Sequence, residues 1–296
     1  MIWVIGCKGM LGSEICRQLN EKKLQYVMSD IDVDITDINA LKQFAKDSDI
    51  TWIVNCAGYT AVDKAESDAE LARKLNETAP ANIAKVADLC GAKVIHISTD
   101  YVFDGAGNSP ITEDAPVSPL GVYGMTKAAG EKSIFDNTDK YYILRTAWLY
   151  GWAGKNFVYT MIKAMNTHES VKVVNDQKGT PTFAADLAGI ILEIINRKEV
   201  PYGTYHVTDL GEITWWDFAN EIKKQGIKTG RINETGKNCV VNPCSTYEYP
   251  TPAKRPAYSV LSKDKIQKTL EITLPDWKES LSNFLKSDLF DKERIK

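Results

Sequence analysis

The chain has 296 residues, 44% of them hydrophobic and 25% charged, with a formal net charge of −3, which is the profile of an ordinary globule long enough to bury a large core. That charge excludes nucleic acid and membrane surfaces as partners, because no surplus of positive groups exists to meet phosphate; a small anionic ligand remains compatible. The six cysteines are scattered without a CxxC pair and the three histidines lie far apart, so the thiols read as buried and reduced and no zinc site is expected.

The chain opens on an apolar run, MIWVIG, with no basic leader, cleavage site or stretch of about 20 apolar residues; the expectation is a cytoplasmic protein. Four further runs, LQYVMSD, TWIVNCAG, KVIHIST and YYILRTAWLY, read as strands. Between them, helical periodicity covers about 10–22, 38–47, 68–90 and 120–136. Strand and helix in turn predict an α/β fold: a doubly wound parallel sheet covered on both faces, with ligands bound beyond the carboxyl ends of its strands. Beyond residue 150 come a helix near 155–167, a strand VKVV, an apolar helix AADLAGIILEIINR and a strand YGTYHVT. From this we expect a dinucleotide-binding domain over 1–150, with part of about 169–200 packing back on it. Residues 151–168 and 201–296 then form mainly a smaller C-terminal substrate lobe, rich in loops, Pro and aromatics, and the final SDLFDKERIK is expected to fray.

Four stretches carry chemistry. GCKGMLG, with Gly6, Gly9 and Gly12, follows the first strand and opens a helix; such a turn lets a pyrophosphate approach backbone N–H groups and the positive end of the helix dipole. Its GxxGxxG spacing departs from GxGxxG, and a ligand-free turn is the plain alternative. Asp30 ends the second strand, where a carboxylate accepts from ribose hydroxyls and repels a 2′-phosphate, or simply forms a turn. Ala57, Gly58, Tyr59 and Thr60 end the third strand, their small members allowing a flat ligand to lie close. Thr99 and Asp100 end the fourth, either holding a substrate carbonyl or capping a helix. Tyr123 and Lys127 in VYGMTK then share one helix face. A phenol donates the proton that hydride addition to a carbonyl requires, and a nearby ammonium is expected to lower its ordinary value of about 10.

The ordered set GCKGMLG, STDYVFDG and VYGMTK resembles the extended short-chain dehydrogenase/reductase superfamily. With NCAGYTAVDKAE, LRTAWLYG, NDQKGTPT, YPTPAKRPAYSVL and LPDW, the chain is similar across nearly its whole length to the dTDP-4-dehydrorhamnose reductase family. The resemblance implies a Rossmann-type fold and hydride transfer from NADPH or NADH to the 4-keto group of dTDP-6-deoxy-L-lyxo-4-hexulose, giving dTDP-L-rhamnose. It implies Tyr123 as proton donor, Lys127 as its partner and Thr99 as the third catalytic group. Gly9, Met10 and Leu11 would meet the pyrophosphate, Asp30 the adenosine ribose, Asp34 and Ile35 the adenine, and Gly58, Tyr59, Thr60 and Ile97 the rest of the cofactor. Thr99, Asp100 and Trp148 would hold the sugar, and Arg255 the diphosphate; on residues alone, Trp148 on an apolar strand reads more often as core and Arg255 as solvated surface. Some family members are dimers bridged by magnesium held by glutamates. Glu14 matches one such position, but Ala185 stands where another glutamate would, so no metal is expected, and the chain is expected to be a monomer or homodimer. Two other classes stay open: a non-catalytic relative like the regulatory β subunit of methionine adenosyltransferase, and an epimerase or dehydratase, whose expected glutamate is replaced by Tyr101.

Overall fold

The computed structural model describes residues 1–46 and 48–295. The apolar runs form a parallel sheet of β1 (Ile2–Ile5), β2 (Tyr26–Ser29), β3 (Trp52–Asn55), β4 (Lys93–Thr99), β5 (Tyr141–Thr146) and an edge strand Gly203–His206. The order across it is Gly203–His206, β5, β4, β3, β1, β2. The chain winds outward from β1 to β2, then returns to β3 on the other side of β1. The crevice between the carboxyl ends of β1 and β3 is therefore the switch point where ligands bind in such sheets.

Alternation along β1 shows why the sheet needs cover on both faces. Ile2 and Val4 join the core beneath the helices Met10–Glu21 and Ala184–Asn196, while Trp3 and Ile5 join the opposite core beneath Ile38–Lys46 and Ala79–Cys90. Trp3 stacks on Phe44 with ring centroids 4.6 Å apart. The helix expected over 38–47 ends at Lys46, and Asp47 lies outside the described residues. A third core, dominated by Tyr150, Phe183, Phe218, Trp277 and Phe284, holds the C-terminal lobe together.

Several expectations shift. The edge strand Gly203–His206, expected in the lobe, extends the central sheet beside β5, because the apolar helix Ala184–Asn196 supplies the crossover that a parallel neighbour requires. Of the stretch 169–200, Ala184–Asn196 covers the sheet, while Ser170–Val174 pairs in the lobe with Val240–Cys244. YYILRTAWLY is broken after Thr146, where Trp148 takes a φ of +47°. The helix expected over 68–90 contains a π-helical turn, Lys74–Thr78. That turn aims Asn76 inward: its side chain accepts from Tyr59 N and donates to Tyr59 O and Thr126 Oγ1, tying the loop after β3 to the helix Val122–Phe135. The lobe also has more helix than its loop-rich composition suggests. Trp215–Lys228 opens on a capping box of Thr214 and Asp217, a T-x-x-D signal in TWWD that the reading overlooked. Among the described residues no helix is long and apolar enough to cross a membrane.

Candidate active site

A cleft of about 940 Å³ runs along the carboxyl ends of β1 to β5. Its nucleotide-sized end is built mainly from backbone. Gly6 has a φ of +77°, and a Cβ there would stand 2.8 Å from Ala57 N, so the turn after β1 closes against the end of β3 only with glycine. A Cβ on Gly12 would stand 2.1 Å from Gly6 O; this glycine serves helix-on-turn packing and does not itself line the cleft. Gly9, Met10 and Leu11 do line it, at a helix N-terminus whose first N–H groups have no intrahelical partner. Asp30 Oδ2 accepts from Lys8 N at 2.9 Å, pinning the end of β2 to the glycine turn. Asp34, Ile35, Ala57, Gly58 and Thr60 complete this end, together with Lys155, which the sequence reading did not single out.

Tyr59 departs from expectation. Its side chain is buried away from the cleft, its hydroxyl donating to Asp68 at 3.1 Å, because Asn76 captures its backbone and turns the ring into a small apolar cluster with Ala65 and Ala72.

The other end is built from side chains. Thr99, Asp100, Tyr123, Lys127, Ile97 and Trp148 all border the same cleft. Thr99 caps a short turn by accepting from Tyr101 N at 3.2 Å, and donates to Asp100 Oδ1 at 3.0 Å; its hydroxyl also favours ionisation of the neighbouring Tyr123 phenol. Tyr101 packs edge-on against Tyr123 at 5.5 Å. Lys127 is buried; its Nζ donates to Ile97 O at 2.5 Å and lies 3.5 Å from His96 Nε2.

Burial dominates the ionisation here. It pushes the Tyr123 phenol up to about 12, assisted by the Asp100 charge and opposed by the Thr99 hydrogen bond. It pushes the Lys127 ammonium down to about 8, against the opposing pull of Glu131 and Cys56. The expectation that the tyrosine is lowered is thus not met: burial raises it, and the phenol keeps its proton through the neutral range. The Asp100 carboxyl is likewise raised, to about 6, by burial that exceeds the help of Ser259 and Thr99. Its Oδ2 is one of two buried side-chain oxygens without a hydrogen-bond partner among the described residues.

Trp148 presents an indole to the cleft and stacks on Trp215 at 3.6 Å and 13°. Gly179 of NDQKGTPT makes room for that ring, since a Cβ there would stand 2.6 Å from Trp148 Cε2. Arg255 is placed otherwise than expected. Its guanidinium forks onto Asp63 at 2.8 and 2.9 Å, and it does not line the cleft, because the helix Val62–Ala65 brings a carboxylate of matching geometry within reach first. Glu14 is held by Arg17 at 2.6 and 2.9 Å and by Gln18 at 2.8 Å, while Ala185 contributes its carbonyl to Gln18.

The RmlD substrate binding domain family model matches residues 1–289. The chain is 44% identical to dTDP-4-dehydrorhamnose reductase of Salmonella typhimurium over 79% of its own length and 78% of that protein's. It is 38% identical to the reductase of Shigella flexneri over 99% of both. Among solved structures it is similar to dTDP-4-dehydrorhamnose reductase from Clostridium acetobutylicum, with a TM-score of 0.89 and 45% identity over 96% of this chain and 98% of that one. It is also similar to the Bacillus anthracis enzyme in complex with NADP, with a TM-score of 0.88 and 36% identity over 96% and 97%.

Proposed function

The chain belongs to the RmlD substrate binding domain family, and from that premise we propose that it reduces the 4-keto group of dTDP-6-deoxy-L-lyxo-4-hexulose with NADPH or NADH, giving dTDP-L-rhamnose in the cytoplasm. The observation that carries this reading is the meeting of Thr99, Tyr123 and Lys127 in one cleft with the three-glycine turn.

The nicotinamide group, when bound, supplies the hydride. The glycine turn fits a dinucleotide because the space beside Gly6 and Gly9 is bordered by backbone and by a helix N-terminus, with Lys8 and Lys155 on the same wall. Tyr123 is neutral across the physiological range, so it holds the proton that the ketone oxygen must receive as negative charge develops there. Thr99 borders the cleft beside the phenol and favours its ionised form. Asp100 borders the same cleft and is the candidate acceptor for a sugar hydroxyl, and Trp148, braced by Trp215, offers an apolar face to the pyranose ring.

The test is direct. Purified protein mixed with NADPH and the dTDP-linked 4-keto sugar should consume reduced-nicotinamide absorbance and yield the dTDP-linked 6-deoxyhexose. Tight dinucleotide binding without turnover on dTDP-, UDP- or GDP-linked keto sugars would overturn the assignment in favour of a non-catalytic role.

A further inference from the structure

We propose that Glu66 is a positioning residue for Tyr123: its carboxylate, reaching across from the loop after β3, caps the first turn of the helix Val122–Phe135 and so fixes where the phenol stands. This rests on the reading of Tyr123 as the proton donor.

The inference starts from what that helix lacks. Its N-cap is Gly121, which has no side chain to accept a hydrogen bond, and its first turn holds no acidic residue. The opening N–H groups of a helix have no partner within it and call for an acceptor from elsewhere. The Val122 N–H finds one 56 residues away in the chain, donating to Glu66 Oε1 at 2.9 Å. Val122 immediately precedes Tyr123, so this contact holds the backbone from which the phenol projects.

Glycines on both sides of the tyrosine make the seat close. A Cβ on Gly121 would stand 2.6 Å from Glu66 Oε1, and one on Gly124 would stand 2.2 Å from Tyr101 O. The first turn is therefore set between a carboxylate from the loop after β3 and the main chain of the turn after β4. Hydride chemistry asks only for the tyrosine and the lysine of GVYGMTK; the two glycines answer to this seat.

Glu66 is itself held in place. The neighbouring Ala65 is fully buried in a cluster with Tyr59 and Ala72, against which Val122 and Tyr123 pack. Asp63, one turn back, is forked by Arg255 at 2.8 and 2.9 Å and accepts from Ala253 N at 3.2 Å. One short helix thus grips the substrate lobe with its first carboxylate and the catalytic helix with its second. Thr60 and Val62, where that helix begins, border the cleft at its cofactor end. Through Glu66 the position of the phenol is tied to the wall on which the dinucleotide would lie.

Three substitutions separate this role from plain helix stability. Glu66→Ala removes the acceptor, Glu66→Gln keeps an accepting oxygen, and Gly121→Ala sets a methyl against the carboxylate. In full-length protein, single-turnover hydride transfer from NADPH should slow at least about tenfold in Glu66→Ala and in Gly121→Ala. The dissociation constant for NADPH and the KM for the keto sugar should stay within about twofold of wild type. Glu66→Gln should recover most of the rate, and the double Ala variant should be no slower than either single one, since both break the same contact. In protein labelled at tyrosine ¹³Cζ, the Tyr123 resonance, identified by its loss in Tyr123→Phe, should shift in the Ala variants and return in Glu66→Gln. A cap that served stability alone would lower Tm in Glu66→Ala and leave the rate and the resonance of the folded protein unchanged; that result overturns the proposal. So does a Glu66→Gln protein as slow as Glu66→Ala, or additive losses in the double variant. If Gly121→Ala does not fold, the two Glu66 variants decide the matter. A Tyr123 resonance that moves as stated in a protein that reduces no nucleotide-linked keto sugar would instead overturn the functional reading alone.

Discussion

The two ends of the cleft are made of different materials. At the glycine turn, shape comes from main chain: a positive φ at Gly6, a helix start against Gly6 O, and a helix N-terminus at Met10 and Leu11 bordering the cavity. At the catalytic end, Thr99, Asp100, Tyr123 and Lys127 act through side chains whose charge states are moved by burial. The contrast teaches that the first end should fail sterically and the second electrostatically.

Tyr123→Phe is the strongest way to separate them. It removes the proton donor and leaves the glycine turn intact, so kcat should fall by about 10²–10⁴ while the dissociation constant for NADPH, read by fluorescence, stays near wild type. A parallel loss of cofactor affinity would show that the two ends are not independent. Gly12→Ala attacks the other end. With a Cβ 2.1 Å from Gly6 O, the helix must shift; about 1–3 kcal/mol of stability should go in denaturant melts, and cofactor affinity with it. Normal affinity in a folded Gly12→Ala protein would dismiss the backbone cradle.

Asp100→Asn sharpens the electrostatic side because function and stability should respond with opposite sign. Folding raises the Asp100 carboxyl from 3.8 to about 6. The ionised form is thus disfavoured in the folded state, and the penalty grows as pH rises from near 4 and is complete above about 6, reaching about 3 kcal/mol. The variant should be more stable than wild type at pH 7 and should lose that advantage near pH 4, while its KM for the keto sugar rises roughly tenfold or more through loss of a charged acceptor. A stability difference independent of pH would contradict the assignment. The smallest effect is expected for Asp30→Ala. It frees Lys8 N and removes the group that repels a 2′-phosphate, so the ratio of NADPH to NADH efficiency should rise a few-fold; an unaltered ratio would detach Asp30 from the ribose.

The same division governs what the residues disclosed before the fold was known. GCKGMLG, the strand ends at Asp30 and Gly58, and the four-residue spacing of Tyr123 and Lys127 all landed on the cleft or its supporting turn. The misplacements are side chains whose destination depends on a distant partner. Arg255 is captured by Asp63, 192 residues away in the chain, and Tyr59 is turned by Asn76 from within a π-helical turn that periodicity does not register. Asn55 passed unremarked because it sits in an apolar run; a polar residue at the end of a strand buried on both faces was the signal available.

What this sequence determined by itself was the order of strands and helices, the place of the phosphate-sized turn, and the presence of a phenol and an amine on one helical face, because hydrophobic period and glycine's φ freedom are local properties of the chain. Tertiary structure alone decided which protons those groups carry. Ionisation follows from exclusion of water and from neighbours such as Asp100 beside Tyr123 and Cys56 beside Lys127, which lie on other strands and meet these groups only when the sheet assembles.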